Sequence, residues 1–198
     1  MSLPSEESPS SLTCKGPQPE YSPEERISLL QIAHESVLSS LEGREISLFI
    51  PSEHLSQPRG VFTTLYLDTK LRGCVGYPVP LMPVYRAVME TARAAAFDDP
   101  RFLPVTLDEA RGMQVSLSIL SPLLPIAPEE VEVGRHGLVI SEGMRRGLLL
   151  PQVPVEHGWD RITFLEQTCR KAGLPPDAWQ QQDARIEAFT AEVFADAT

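Results

Sequence analysis

The run KLRGCVGY, residues 70–77, sets a guanidinium and a thiol two positions apart with a glycine between them. On a β-strand side chains alternate, so Arg72 and Cys74 share one face, about 7 Å apart along the backbone, and Leu71, Gly73 and Val75 take the other. Gly73 leaves the intervening main chain unshielded. Two chemistries fit this pattern. An arginine beside a cysteine favours the thiolate and can hold an anionic group of a substrate, which makes Cys74 a nucleophile or acid. Alternatively Arg72 holds an anion and Cys74 is a small packed side chain. A cysteine nucleophile needs a base brought from elsewhere in the chain. Among His34, His54, His136 and His157 the candidate is His136, in a tight glycine-flanked approach to a strand. No two of these histidines have ligand spacing on one helix, so no metal is expected. The chain also lacks a phosphate-binding glycine loop, and no cofactor is expected.

The hairpin that must carry this motif is GVFTTLYLDTKLRGCVG, two β-prone runs turning around Asp68, Thr69 and Lys70. Before it, Ser22, Pro23 and Glu25 form a capping-box start, and Ile27, Leu30, Ala33, Val37 and Leu41 mark one stripe of a helix that ends at Gly43. His34 lies on or beside that stripe as a structural histidine. After the hairpin, Val84 to Ala96 reads as a second helix with Val84, Val88, Thr91 or Ala92 and Ala95 inward, stopping before Asp98-Asp99-Pro100. MQVSLSIL alternates without fault, Met113, Val115, Leu117 and Ile119 on its buried face. GLVISEGMRRGLLLPQV is a second hairpin, turning at Glu142-Gly143, and WDRITFLEQTCRKAG is a helix ended by Gly173. In RIEAFTAEVF, Phe189, Ala191 and Val193 suit a strand while Ile186, Phe189 and Val193 suit a helix; strand is the better fit. Hairpin-joined strands with interspersed helices predict an α+β fold with a mainly antiparallel sheet and flanking helices.

Residues 1–21 are rich in Ser, Pro and Glu and read as a disordered tail, leaving 22–198 as one domain. The formal net charge of -10 repels a phosphate backbone, and no Lys/Arg run offers a local exception, so nucleic acid is disfavoured as a partner. No long apolar span or leader pattern marks a membrane or secreted protein, and Cys14, Cys74 and Cys169 are too few and too scattered for a disulfide framework. The expected location is the cytoplasm.

Taken together, LRGCVG, DPRFLPV, GRHGLVI, GLLLPQVPVEHGWD and FLEQTCRKAGL resemble, in order and spacing, the AMMECR-type family, whose prokaryotic members are called AmmeMemoRadiSam system protein A. The resemblance runs from about Gly60 to Phe194. It implies a larger and a smaller lobe with a cleft between them. It also implies a modification pathway shared with a Memo-type protein and a radical-SAM protein, acting on an unidentified substrate. The chain departs from the family pattern at Val75, where isoleucine is usual, and at the YPVP that follows Gly76. The family's recurrent polar positions correspond to Arg72, Cys74, Asp99, Arg101, His136, Gln152, Glu156 and Trp159. Cys74 and His136 would then be catalytic, and Arg72, Gly73, Asp99, Arg101, Gln152, Glu156 and Trp159 would bind substrate. Each also has a structural role open to it: Arg101 can hold a turn through Asp99, Gln152 can satisfy backbone groups, and Trp159 can anchor a helix.

The charge balance makes a direct forecast. Fluorescence polarisation with labelled DNA or RNA at physiological salt should show weak, salt-sensitive and sequence-indifferent binding at best; submicromolar affinity would overturn it.

Overall fold

The computed structural model describes residues 19–46 and 52–197. Helix α1 (Pro23–Glu42) starts in a capping box, with Ser22 accepting from the Glu25 backbone, and ends at Gly43 in the left-handed region, φ 66°. Its buried face is Leu29, Ile32, Ala33, Ser36 and Val37, and Ile27 is 56% exposed. Of the stripe read in sequence, Ala33 and Val37 are buried and Leu30 and Leu41 pack against the core, so the helix is turned only enough to expose Ile27 and bury Leu29 and Ile32. The Ser36 hydroxyl donates 2.8 Å to the Met89 carbonyl of the neighbouring helix, so a serine holds the helix contact that apolar periodicity assigns to larger residues.

Strands β1 (Val61–Leu67) and β2 (Lys70–Tyr77) form the expected hairpin with a tighter turn. Asp68 and Thr69 both have positive φ, 49° and 64°, the two-residue geometry that matches strand twist, and Lys70 already belongs to β2. Helix α2 (Val84–Phe97) packs on this hairpin through Val84, Val88, Thr91, Ala92 and Ala95. Helix α3 (Leu107–Gly112) is a short element absent from the sequence reading. It is announced by its capping pair, Thr106 and Glu109. It leads into β3 (Gln114–Leu120), whose Val115, Leu117 and Ile119 are buried as alternation requires.

The chain then forms β4 (Leu124–Pro125), β5 (Gly137–Glu142), β6 (Arg145–Leu149), α4 (Gln152–Glu156), α5 (Arg161–Lys171), β7 (Arg185–Phe189) and β8 (Ala191–Ala195). The second hairpin turns at Gly143 and Met144, one residue later than expected, because Glu142 still pairs with Arg145. The C-terminal segment is strand, divided in two at Thr190. The fold is α+β with antiparallel pairing throughout, as the sequence predicts, and its strands form two sheets, ordered β2-β1-β3-β8 and β4-β7-β5-β6.

Each sheet has its own core. Helices α1 and α2 cover the first with Leu29, Val61, Leu65, Val88 and Leu117. Helix α5 covers the second with Leu138, Ile140, Phe164 and Leu165. A third cluster, Leu120, Val139 and Phe189 with Phe62, Leu148 and Leu150 against it, joins the halves. The chain passes between sheets twice, at Ser121 and at Thr190. The two crossings bond to each other: the Ser121 amide donates to the Thr190 carbonyl at 2.9 Å and the Thr190 amide to Ser121 Oγ at 3.0 Å.

The tail expectation fails at its C-terminal end, and residues 1–18 lie outside the described residues. Tyr21 is 1% exposed, stacked on His54 at 4.8 Å and tilted against Phe194, so an aromatic ring that the Ser/Pro/Glu composition conceals belongs to the first core. Tyr21→Ala should cost about 3–5 kcal/mol in urea unfolding, the range for removing a buried aromatic ring. A loss under about 1 kcal/mol would mean that Tyr21 does not anchor the fold.

Candidate functional site

The opening motif sits on β2, an edge strand, and its alternation is broken. Leu65 pairs with Gly73 and Tyr66 with Leu71, which leaves Arg72 as the extra residue of a bulge. The shared face expected for Arg72 and Cys74 is thus replaced by a local kink that re-aims Arg72. Its guanidinium turns to Glu109 at the start of α3, donating from Nε at 2.9 Å and from Nη2 at 3.2 Å, and lies 5.9 Å from the Phe102 ring centroid. Arg72 is anion-paired, as burial of a guanidinium demands, by a carboxylate of its own chain. Its hydrogen bonds hold Glu109 down to about 2, with the Thr106 backbone amide assisting.

Gly73 faces the other way, into the helical layer. A Cβ there would overlap the Ala95 carbonyl oxygen, so the last turn of α2 rests directly on the strand. Past that turn the chain reaches Asp98-Asp99-Pro100-Arg101 and doubles back along the edge of β2.

Cys74 pairs with Thr64, and its sulfur accepts from Thr64 Oγ1 at 3.3 Å. This is a non-hydrogen-bonded pair, so the Cys74 amide and carbonyl point outward from the sheet. The amide donates to Asp99 Oδ2 at 2.9 Å, and the carbonyl accepts from Arg101 Nη2 at 3.4 Å. Asp99, with its side chain 4% exposed, also receives Arg101 Nε at 2.9 Å, Nη2 at 2.7 Å and the Arg101 amide at 3.1 Å. Arg101 first, and then the Cys74 amide, hold the Asp99 carboxyl well below the usual carboxylate range. Arg101 is raised in turn, chiefly by the hydrogen bonds it donates to Asp99. Its side chain stays 54% exposed, 5.4 Å from the Phe102 ring centroid.

Arg72, Gly73, Cys74, Asp99 and Arg101 therefore meet, together with Thr64, Phe102 and Glu109. Sequence reasoning missed these last three. The Thr106-x-x-Glu109 capping signature is the signal that could have marked Glu109 as a helix residue, but only the fold shows that it closes on Arg72.

Among the described residues no hydrogen bond or ion pair joins the other candidates to this cluster. His136 precedes β5 in the second sheet; its Nδ1 accepts from the Glu132 amide at 3.1 Å, and burial, then Arg135, lowers its pKa. The adjoining Gly134 and Arg135 border the space beside β8, three strand spacings, about 14 Å, from β2. Gln152 and Glu156 are exposed on α4. Trp159 packs on the second core and stacks on His157 at 4.7 Å. Among the described residues no histidine or carboxylate hydrogen-bonds to the Cys74 sulfur, and no three His, Cys, Asp or Glu side chains converge as metal ligands. Cys169, the other described cysteine, is buried under α5, where burial pushes its thiol up.

A family model described as AMMECR1 matches residues 30–194. A protein of Methanopyrus kandleri is 44% identical over 177 residues, which cover 84% of this chain and 86% of its own length. One of Pyrococcus furiosus is 45% identical over 180 residues, covering 84% and 85%. The crystal structure of an uncharacterized protein from Pyrococcus horikoshii superposes with a TM-score of 0.68 at 42% identity, covering 85% of this chain and 89% of that one.

Both site carboxylates have folded pKa values below their unfolded ones, so each stabilises the fold above its unfolded pKa, and that contribution is lost as pH falls through the folded value. Stability should accordingly fall between about pH 5 and pH 2. Asp99→Asn/Glu109→Gln should be less stable than wild type at neutral pH and show a flatter profile in the same interval. Urea midpoints across the range measure this, and parallel profiles would refute the role given to the two carboxylates.

Proposed function

The chain belongs to the AMMECR1 family, and from that premise we propose that it is the substrate-binding component of a modification pathway shared with a Memo-type protein and a radical-SAM protein. The site around Cys74 and Arg101, in a cleft between the two sheets, would hold the substrate while the companions carry out the chemistry. One observation carries the reading: the Cys74 sulfur hydrogen-bonds to a threonine hydroxyl and, among the described residues, to no base, while Arg101 beside it keeps half its surface free. A thiol without a proton acceptor in reach is a poor nucleophile, whereas a preorganised, half-exposed guanidinium is a ready contact for a carboxylate or phosphate group. Of the two arginines, Arg72 is closed by Glu109 and supports the site; Arg101 is the one positioned to touch a ligand.

The enzyme reading, with Cys74 as nucleophile and His136 as base, requires the loop of His136 to approach β2 from the far side of the first sheet. Substitution separates the two. Cys74→Ser should unfold within about 1 kcal/mol of wild type, since the half-buried hydroxyl keeps Thr64 as partner. In a reconstituted mixture with the Memo-type and radical-SAM proteins, mass spectrometry of the products should show Cys74→Ser retaining turnover and Arg101→Ala lowering it by about tenfold or more, the loss expected for one charge-assisted hydrogen bond. Complete loss of product in a stably folded Cys74→Ser protein would instead make the thiol catalytic.

A further inference from the structure

The two edges of the first sheet are treated differently. At β2 the outward amide and carbonyl of Cys74 are taken by Asp99 and Arg101. At β8 the pattern can be read from its bonds to β3: Asp196 donates to the Val115 carbonyl at 3.0 Å, and Ser121 to the Thr190 carbonyl at 2.9 Å. Antiparallel pairs alternate between bonded and non-bonded, so Phe194 and Glu192 also bond to β3, and the amides and carbonyls of Ala191, Val193 and Ala195 face away from the sheet. Among the described residues no hydrogen bond reaches those groups. The strand carries no lysine, proline or bulge, the devices that normally blunt an edge, and Val193 is 65% exposed.

Beside the same edge runs a groove of about 420 Å³ lined by Ile27, Leu30, His34 and Phe194. Ile27 and Leu30 belong to the apolar stripe that the sequence assigns to the core; Ile27 is 56% exposed and Leu30 is only partly buried against a first core that takes Leu29, Ile32, Ala33 and Val37 from this helix. The stripe of α1 is thus wider than one copy of the chain needs. The surplus lies next to unpaired backbone.

We propose that β8 is the contact edge of a symmetric dimer, in which two copies pair their β8 strands antiparallel about a two-fold axis at Val193. The outward groups recur at 191, 193 and 195, so they are centred on Val193. A two-fold axis there sets Val193 opposite its own copy and Ala191 opposite Ala195, and every outward amide meets an outward carbonyl. The two α1 helices then flank the axis on one face, with Ile27 and Leu30 turned toward it.

Charge is compatible with a second copy. The acidic groups at this edge are engaged within the chain: Glu192 pairs with Arg26 at 2.8 Å, Glu20 pairs with Arg59 at 2.8 Å, and Asp196 accepts from the Val115 amide at 2.7 Å with His34 Nε2 at 2.8 Å, so the net charge of -10 is not concentrated here. A strongly basic peptide would find no unmatched carboxylate among these residues. A five-residue strand contact with one helix on each side falls in the small class of interfaces, below about 1,200 Å², so the dimer should depend on concentration.

Sedimentation of the full chain over about a hundredfold range of concentration should show a reversible monomer–dimer equilibrium. Hydrogen exchange at the Val193 and Ala195 amides should slow as the dimer forms. Val193→Pro removes an amide that the monomer does not use, and Val193→Lys places a charge on the axis. Each should weaken association by about tenfold or more while leaving the circular dichroism and melting temperature of the monomer unchanged. A chain that stays monomeric throughout the range overturns the proposal, as does a dimer that both variants preserve. Protection of the two amides that is independent of concentration does the same, and would assign the edge to a segment of the same chain.

Discussion

The carboxylate of Asp99 is the pivot of the first sheet. It is nearly buried, and it accepts from the Cys74 amide, the Arg101 amide and two nitrogens of the Arg101 guanidinium. An edge strand exposes backbone groups that must find partners, and here one acidic side chain supplies them while also fixing the arginine that caps the adjacent carbonyl. Several features of the region follow from that placement. The end of α2 must come close enough to deliver Asp99, which needs a glycine at 73, and Pro100 must prevent the helix from continuing past it. The bulge at Arg72 then becomes intelligible, because the guanidinium cannot share the face of Cys74 and also reach Glu109.

The second sheet repeats part of this solution without the charges. A Cβ at Gly147 of β6 would lie 2.6 Å from the Thr168 carbonyl oxygen, so the end of α5 rests on an edge strand as the end of α2 does. After α5, however, the chain turns through Gly173, φ 73°, and among the described residues no carboxylate accepts from a β6 amide. The similarity is in packing and the difference is in polar chemistry. The charged cluster of the first sheet is accordingly more than the fold requires for closing a helix on a strand.

Much of this was legible in sequence because it is local. Ser22 and Glu25, Asp68 and Thr69, and the alternation of β3 each declare an element over a few residues. The cluster of Arg72, Cys74, Asp99 and Arg101 was legible as a list of residues and not as an arrangement. Nothing in the period of a strand reveals that one residue is extra, and the bulge decides where Arg72 points. Tyr21 was concealed by the polar residues around it. Thr190 was concealed by apolar residues on both sides, since a chain changing sheets keeps its alternation and shows no break in composition. The separation of His136 from Cys74 depends on which sheet each strand joins, a long-range fact with no local signature.

The two arginines make the same point about chemistry. In sequence they are equivalent candidates for an anion, each near an acidic residue or a helix. In the fold both are paired, yet their surroundings differ: the Arg72 side chain is 14% exposed against the Arg101 value of 54%. Burial makes the Arg72 pairing obligatory, because losing Glu109 would strand a desolvated charge. Arg101 is oriented by its pairing to Asp99 without being consumed by it, since among the described residues no hydrogen bond takes its Nη1 and its side chain stays half exposed beside the Phe102 ring. A guanidinium held rigidly at one side and open at the other is preorganised for a ligand at little further entropic cost. That asymmetry, set by the bulge at Arg72 and the carboxylate of Asp99, distinguishes the supporting arginine from the one available for recognition.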